Sequence, residues 1–143
     1  MNILVINGPN LNLLGERDTS IYGKETLDQL MNKLESQSKP KINKFHFFQS
    51  NHEGEIIDVI HHKRNWASGI IINPGALTHY SYAIRDAIEA VRIPTAEVHL
   101  SNINNRESFR KTSVISDVCI CQIQGLGGKG YFKALEALIN YIK

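Results

Sequence analysis

A chain of 143 residues is long enough for one domain with a single sizeable core, and it needs no second. Its 42% hydrophobic and 21% charged residues are ordinary for a globular protein, and a formal net charge of +2 is too small to imply nucleic acid or an acidic membrane as partner. The N-terminal apolar run is too short for a secretory core and has no basic flank, and no later stretch reaches the length of a membrane span, so a cytoplasmic protein is the expectation.

The stretch around which the chain is organised comes first. Ile3 to Ile6 is an unbroken apolar run that suits a strand buried on both faces, and Asn7, Gly8, Pro9 and Asn10 stop it. More than a dozen residues without a clear period follow, the length of a lid or binding loop. Leu11, Leu13, Leu14 and Ile21 can anchor this loop, and Gly15 and Gly23 can hinge it. Arg17 and Tyr22 are the reactive side chains between those hinges.

Thr26, with Gln29 three residues on, reads as a capping box ahead of the helical face Leu27, Leu30, Met31 and Leu34, and Ser36 to Pro40 should end that helix. Phe45, Phe47 and Phe48 mark a second strand running to about Gln49. Ser50 and Glu53 repeat the capping-box signature before a helix with Ile56, Ile57 and Ile60 inward and the adjacent His61 and His62 in solvent. Gly69 to Asn73 is an apolar third strand. A helix marked by Tyr82, Ala83, Ile84, Ala87, Ile88 and Val91 follows, then a fourth strand from Thr95 to His99. Ser101 to Ser108 is polar, with room for one turn at Arg106 to Phe109. Asp117 to Ile123 reads as the fifth strand, Gln124 to Gly130 as a glycine-rich turn, and Tyr131 to Tyr141 as a last amphipathic helix.

Five alternations of strand and helix with right-handed crossovers call for an α/β fold, a five-stranded parallel sheet with helices on both faces. The flavodoxin-like order 2-1-3-4-5 is the usual solution, and it binds ligands beyond the carboxyl ends of the strands. Asn7 to Asn10, Gln49 to His52, Asn73 to Thr78, His99 to Asn102 and Gln122 to Gly128 stand at those ends. Amides, hydroxyls and imidazoles gather there with hardly a carboxylate, which suits a small, oxygen-rich anion. Cys119 and Cys121, the only cysteines, read as two thiols on one face of a strand, with poor geometry for a disulfide. No HExxH or Cys/His cluster is present, so no metal is expected.

Glu97 and His99 are two apart on one strand and share a face, so the carboxylate can orient the imidazole as a general acid requires. Asn73, His79 and Asp86 could bind sugar-like hydroxyls, and Arg106 and Arg110, with Ser101, could hold further hydroxyls or a carboxylate.

Four blocks, NGPNLNLLGERDTSIYG, FFQSNHEGEIIDVIH, INPGALTHYSYAIRDA and EVHLSN, stand in an order and spacing that closely resemble the type II 3-dehydroquinate dehydratases over essentially the whole chain. The resemblance implies a flavodoxin-like fold, no metal, cofactor or Schiff base, and conversion of 3-dehydroquinate to 3-dehydroshikimate in aromatic amino-acid biosynthesis. It implies Tyr22 as proton acceptor, His99 as proton donor and Arg17 as a transition-state stabiliser. Asn73, His79, Asp86, Leu100, Ser101 and Arg110 would bind substrate. It also implies a homododecamer built from trimers, in which Asp86 serves the neighbouring subunit's site. The chain departs at Thr19, where proline is frequent, and in the looser GLGGKGY segment. The residues fit that chemistry. A phenol, ordinarily with a pKa of about 10, must be acidified by a neighbouring cation to take a proton from carbon. The resulting enolate would be held by amide and backbone donors at the ends of the first and third strands, through a water near Asn10 and Asn73.

Three rivals make different demands. A flavin or phosphate module wants a Ser/Thr-rich loop where this chain has Asn-Gly-Pro-Asn, and a phosphoacceptor domain wants aspartates where Asn7 and Asn73 stand. A metal-dependent lyase would have to use His79, Glu97 and His99.

Overall fold

The computed structural model describes residues 1–38, 42 and 44–143. Five strands, β1 (Asn2–Asn7), β2 (Lys44–Gln49), β3 (Gly69–Asn73), β4 (Thr95–His99) and β5 (Cys121–Gln124), form one sheet in the order β2-β1-β3-β4-β5. Every neighbouring pair is parallel, and Asn7 lies in register with both Gln49 and Asn73. The expected fold is the observed one.

Alternation along the strands divides the core. Ile3, Val5, Ile71, Ala96 and Val98 face one layer, built by α2 (Leu27–Gln37) and α5 (Lys129–Ile142). Leu4, Ile6, Ile70 and Ile72 face the other, built by α3 (Glu53–His62) and α4 (Tyr82–Val91). The isoleucines of β3 are fully buried, and each such side chain contributes about 1.5–3 kcal/mol. Register is therefore fixed, because slipping a strand by one residue would exchange the two faces.

The ends of the helices show where local sequence decides. The Thr26 hydroxyl accepts from the Gln29 N–H at 3.1 Å while the Gln29 side chain accepts from the Thr26 N–H at 3.0 Å, so the first capping box forms as read. α2 runs on through Gln37, and the remainder of the expected stop, Lys39 and Pro40, lies outside the described residues. The second capping box does not form. α3 begins two residues later than that pattern requires, with His52 rather than Ser50 at the cap position. The Ser50 hydroxyl instead accepts from the His52 N–H at 2.9 Å and donates to Glu55, while Glu53 accepts from Ser81, the N-cap of α4, at 2.5 Å. A local motif has yielded to a tie between helices. His61 and His62 are exposed, as expected, and so is Tyr82 on α4.

β5 is shorter than the apolar run that suggested it. Ser116–Val118 is a 3-10 turn, and the strand starts only at Cys121. The cysteines therefore do not share a face: Cys119 packs against the α3/α4 layer and Cys121 against the α2/α5 layer, both as free thiols. The glycine-rich turn is also tighter than expected, since α5 already begins at Lys129.

Candidate active site

The loop after β1 is more ordered than its lack of period suggested. It holds a 3-10 turn at Leu11–Leu13 and one helical turn, α1 (Thr19–Tyr22), whose cap is Asp18 accepting from the Ser20 N–H at 3.1 Å. Leu11 and Leu14 anchor it in the core, but Leu13 and Ile21 are exposed and anchor nothing. Gly15 and Gly23 adopt φ of +91° and +83°, a region that L side chains rarely enter, so both bends need glycine. The loop folds back so that the Arg17 guanidinium lies 3.9 Å above the Tyr22 ring and donates to the Tyr22 hydroxyl at 2.9 Å.

A second guanidinium meets the same oxygen. Arg106 donates to the Tyr22 hydroxyl at 2.6 Å from a segment 84 residues away. Sequence alone set Arg106 beside Arg110 as a holder of hydroxyls or a carboxylate; the structure puts it on the phenol. No local signal could have found this contact, which exists only because the fold brings the two loops together. The single turn expected at Arg106 to Phe109 is in fact two, at Ile103–Asn105 and Ser108–Lys111, with Arg106 between them.

At the end of β4 the expected pair is present. His99 Nε2 lies 2.5 Å from Glu97 Oε2, and Glu97 is completely buried. Sequence reasoning missed what surrounds that carboxylate: Thr78 Oγ1 donates to it at 2.7 Å, Ser113 Oγ at 2.8 Å and Gln122 Nε2 at 3.2 Å. Burial by itself pushes the Glu97 carboxyl up. The hydrogen bond and positive charge of His99, with the hydroxyls of Thr78 and Ser113, more than offset it, and the group lies below the usual carboxylate range. With an ionised acceptor on Nε2, the imidazole presents Nδ1 as its free nitrogen.

His79 is fixed by the same strap of chain that carries Ser113. Its Nδ1 lies 2.7 Å from the Thr112 carbonyl, which can only accept, so Nδ1 carries the proton and Nε2 is left as an acceptor. Burial pushes the His79 imidazole below its ordinary value, and the charges of His99 and Arg110 act in the same direction. The strap is held in turn by the Val114 N–H donating to the Thr78 carbonyl at 2.8 Å.

One pocket gathers these groups. Arg17, Tyr22, Asn10, Asn73, His79, His99, Leu100, Ser101 and Arg110 line it, with Arg106. Glu97 stands behind His99. Asp86 is not among the lining residues; it is exposed on α4, so the fold does not deliver this expected residue to its own chain's pocket. The expectation that backbone donors at the ends of β1 and β3 would face a ligand also needs correction. The N–H of Gly8 donates to the Asn73 carbonyl at 2.8 Å, that of Asn10 to Asn51 at 2.9 Å and that of Gly75 to Asn73 Oδ1 at 3.2 Å. The side-chain amides of Asn10 and Asn73 stand at those strand ends and line the pocket.

Among the described residues three guanidiniums and no carboxylate line the pocket, so its field favours an anion. Among the described residues no three His, Cys, Asp or Glu side chains converge as a metal site would require. A hydroxyl carrying two cationic donors, near an imidazole backed by a buried carboxylate, is the equipment of acid–base catalysis on a small anion. The chain belongs to the class II dehydroquinase family, whose model matches residues 1–139. It is 55% identical to a 3-dehydroquinate dehydratase of Halothermothrix orenii, over 99% of this chain and 95% of that protein. It is 58% identical to one of Caldicellulosiruptor saccharolyticus, over 95% and 94%. The crystal structure of a type II dehydroquinase from Butyrivibrio crossotus superposes with a TM-score of 0.93 at 54% identity, covering 97% of both chains.

Proposed function

We infer that this chain is a hydro-lyase that removes water from 3-dehydroquinate to give 3-dehydroshikimate, a step of the shikimate route to chorismate and the aromatic amino acids. The observation that carries the reading is the Tyr22 hydroxyl held by two guanidiniums in the same pocket as the Glu97–His99 pair. The relatives' shared name supplies the substrate.

The chemistry follows from the geometry. Arg17 and Arg106 stabilise the phenolate of Tyr22, whose oxygen takes a proton from the carbon beside the ketone. The electron pair of that C–H bond moves into an enolate, and the Asn10 and Asn73 amides, through a water, hold the negative oxygen. As the enolate collapses, the carbon–oxygen bond to the leaving hydroxyl breaks. His99 protonates that hydroxyl through Nδ1, so water departs and a conjugated enone remains. Glu97, kept ionised by its hydroxyl donors, fixes the ring and balances its charge. His79 accepts from a substrate hydroxyl through Nε2. Arg110, Ser101 and the Leu100 backbone receive the carboxylate and remaining hydroxyls.

Asp86 enters this scheme only through another copy of the chain, so the proposal includes the homododecamer of trimers, with Asp86 reaching the neighbouring site. A cytoplasmic setting accords with the two free thiols. Light scattering on the purified protein tests the assembly. The activity is tested by ultraviolet absorbance of the enone when purified protein meets 3-dehydroquinate. Tyr22→Phe should cut turnover by about three orders of magnitude, and dehydration at full speed by that variant would end the reading.

A further inference from the structure

One buried phenol takes no part in the chemistry above. Tyr131 lies on α5, completely excluded from solvent, in the layer shared with Val98, Ala134 and Leu135. Its hydroxyl accepts from Asn73 Nδ2 at 3.0 Å and donates to Asn7 Oδ1 at 2.5 Å. Asn7 and Asn73 are register partners at the ends of β1 and β3, on the face that carries Ile3, Val5 and Ile71, so a single oxygen bridges both strand ends from the helix packed behind them.

The direction of this chain of bonds is determined. The Gly75 N–H can only donate, so the Asn73 atom it meets is Oδ1, and Nδ2 points to Tyr131. Burial pushes the Tyr131 hydroxyl up, so it keeps its proton and must spend it on Asn7 Oδ1. Asn7 Nδ2 then faces Met31 Sδ at 3.5 Å, a weak acceptor. Turning the Asn73 amide over would set two donors against each other at Gly75 and force the phenol to abandon Asn7. Among the described residues, one hydrogen on Asn73 Nδ2 stays uncommitted, and Asn73 lines the pocket.

We propose that Tyr131 is a positioning residue for substrate binding: its hydroxyl, acting through Asn73, fixes an amide N–H donor toward the pocket. The proposal rests on the reading that Asn73 binds substrate. It assigns a function to a fully buried residue that does not itself line the pocket.

The experiment compares steady-state kinetics of wild type, Asn73→Ala, Tyr131→Phe and the double variant, with thermal melts of each. Tyr131→Phe keeps the ring and should raise KM about fivefold, the worth of one ordinary hydrogen bond, and any fall in kcat should be smaller than that of Asn73→Ala, which removes the amide facing the enolate altogether. The double variant should be no worse than Asn73→Ala alone, since the phenol acts only through that amide. A Tyr131→Phe enzyme that melts lower but keeps the wild-type KM has lost only structure, and overturns the proposal. So does a double variant whose KM multiplies the two single effects. An unchanged KM in Asn73→Ala overturns the substrate role of Asn73 and this proposal with it, whereas a raised KM there and not in Tyr131→Phe overturns this proposal alone. If Tyr131→Phe does not fold, Asn7→Ala removes the acceptor and leaves the phenol in place. A raised KM in that variant supports the proposal and a wild-type KM overturns it.

Discussion

The two ends of the pocket are held in different ways. Around Glu97 and His99 the chain is a strand with neighbours on both sides; the two residues are 0% and 5% exposed, and four separate donors converge on the carboxylate. Around Tyr22 the backbone bonds are local, from Ile21 and Tyr22 to Asp18 and from Arg17 to Leu13, and the side chain is half-buried. Among the described residues, its hydroxyl is hydrogen-bonded by the two arginines alone. The acid end is thus set by packing in the sheet, the base end by charge between two loops. Packing gives a fixed geometry; charge gives one that a single altered side chain can release.

That contrast is broken most severely by Arg17→Lys. Lysine keeps the charge and loses the planar fork that both stacks on the ring and reaches the hydroxyl, so turnover should fall about a hundredfold with little change in KM. Equal turnover would mean that bare charge suffices. Acid sharpens the contrast next, because it acts on the packed end. His79 is below its ordinary 6.5 in the folded chain, so as pH drops through 6.5 the unfolded chain gains a proton that the folded one resists, and stability declines from there toward the folded value. Glu97 is below its ordinary 4.5; its contribution is complete above 4.5 and is lost as pH falls through the folded value. Urea midpoints measured from pH 7.5 to 4 should decline in that order in wild type. His79→Gln should flatten the first decline, and a profile identical to wild type would show that His79 does not carry it. The smallest effect belongs to the loop. Thr19 is the first residue of α1, where proline's fixed φ suits the helix, and Asp18 before it already has φ −50° and ψ +98°. Thr19→Pro should stabilise by about 0.4–1 kcal/mol, read as a modest rise in Tm, with the acid end untouched. A fall in Tm would show that the turn depends on more than backbone preference.

The alternation of strands and helices and the first capping box were legible because each follows from periodicity or a short local pattern, and the strand order because it is the usual solution for five such units. So was the Glu97–His99 pair, since residues two apart on a strand share a face. The same rule failed at Cys119 and Cys121, because the 3-10 turn at Ser116–Val118 delays β5 and breaks the alternation. Thr78, Ser113 and Gln122 around Glu97, and Arg106 on Tyr22, come from separate segments, and no spacing encodes their meeting. Asp86 was read as a hydroxyl binder both from its place after the third strand and from the resemblance, and on its own chain it stands outside the pocket.

The strap from Thr112 to Val114 joins three duties within three residues: its carbonyl sets the His79 tautomer, its hydroxyl caps Glu97, and its amide ties it to Thr78. Such a segment is a fuse. Peeling it away would uncouple proton donor and hydroxyl acceptor together while leaving the sheet whole, so in mild denaturant catalysis should vanish before the circular dichroism changes.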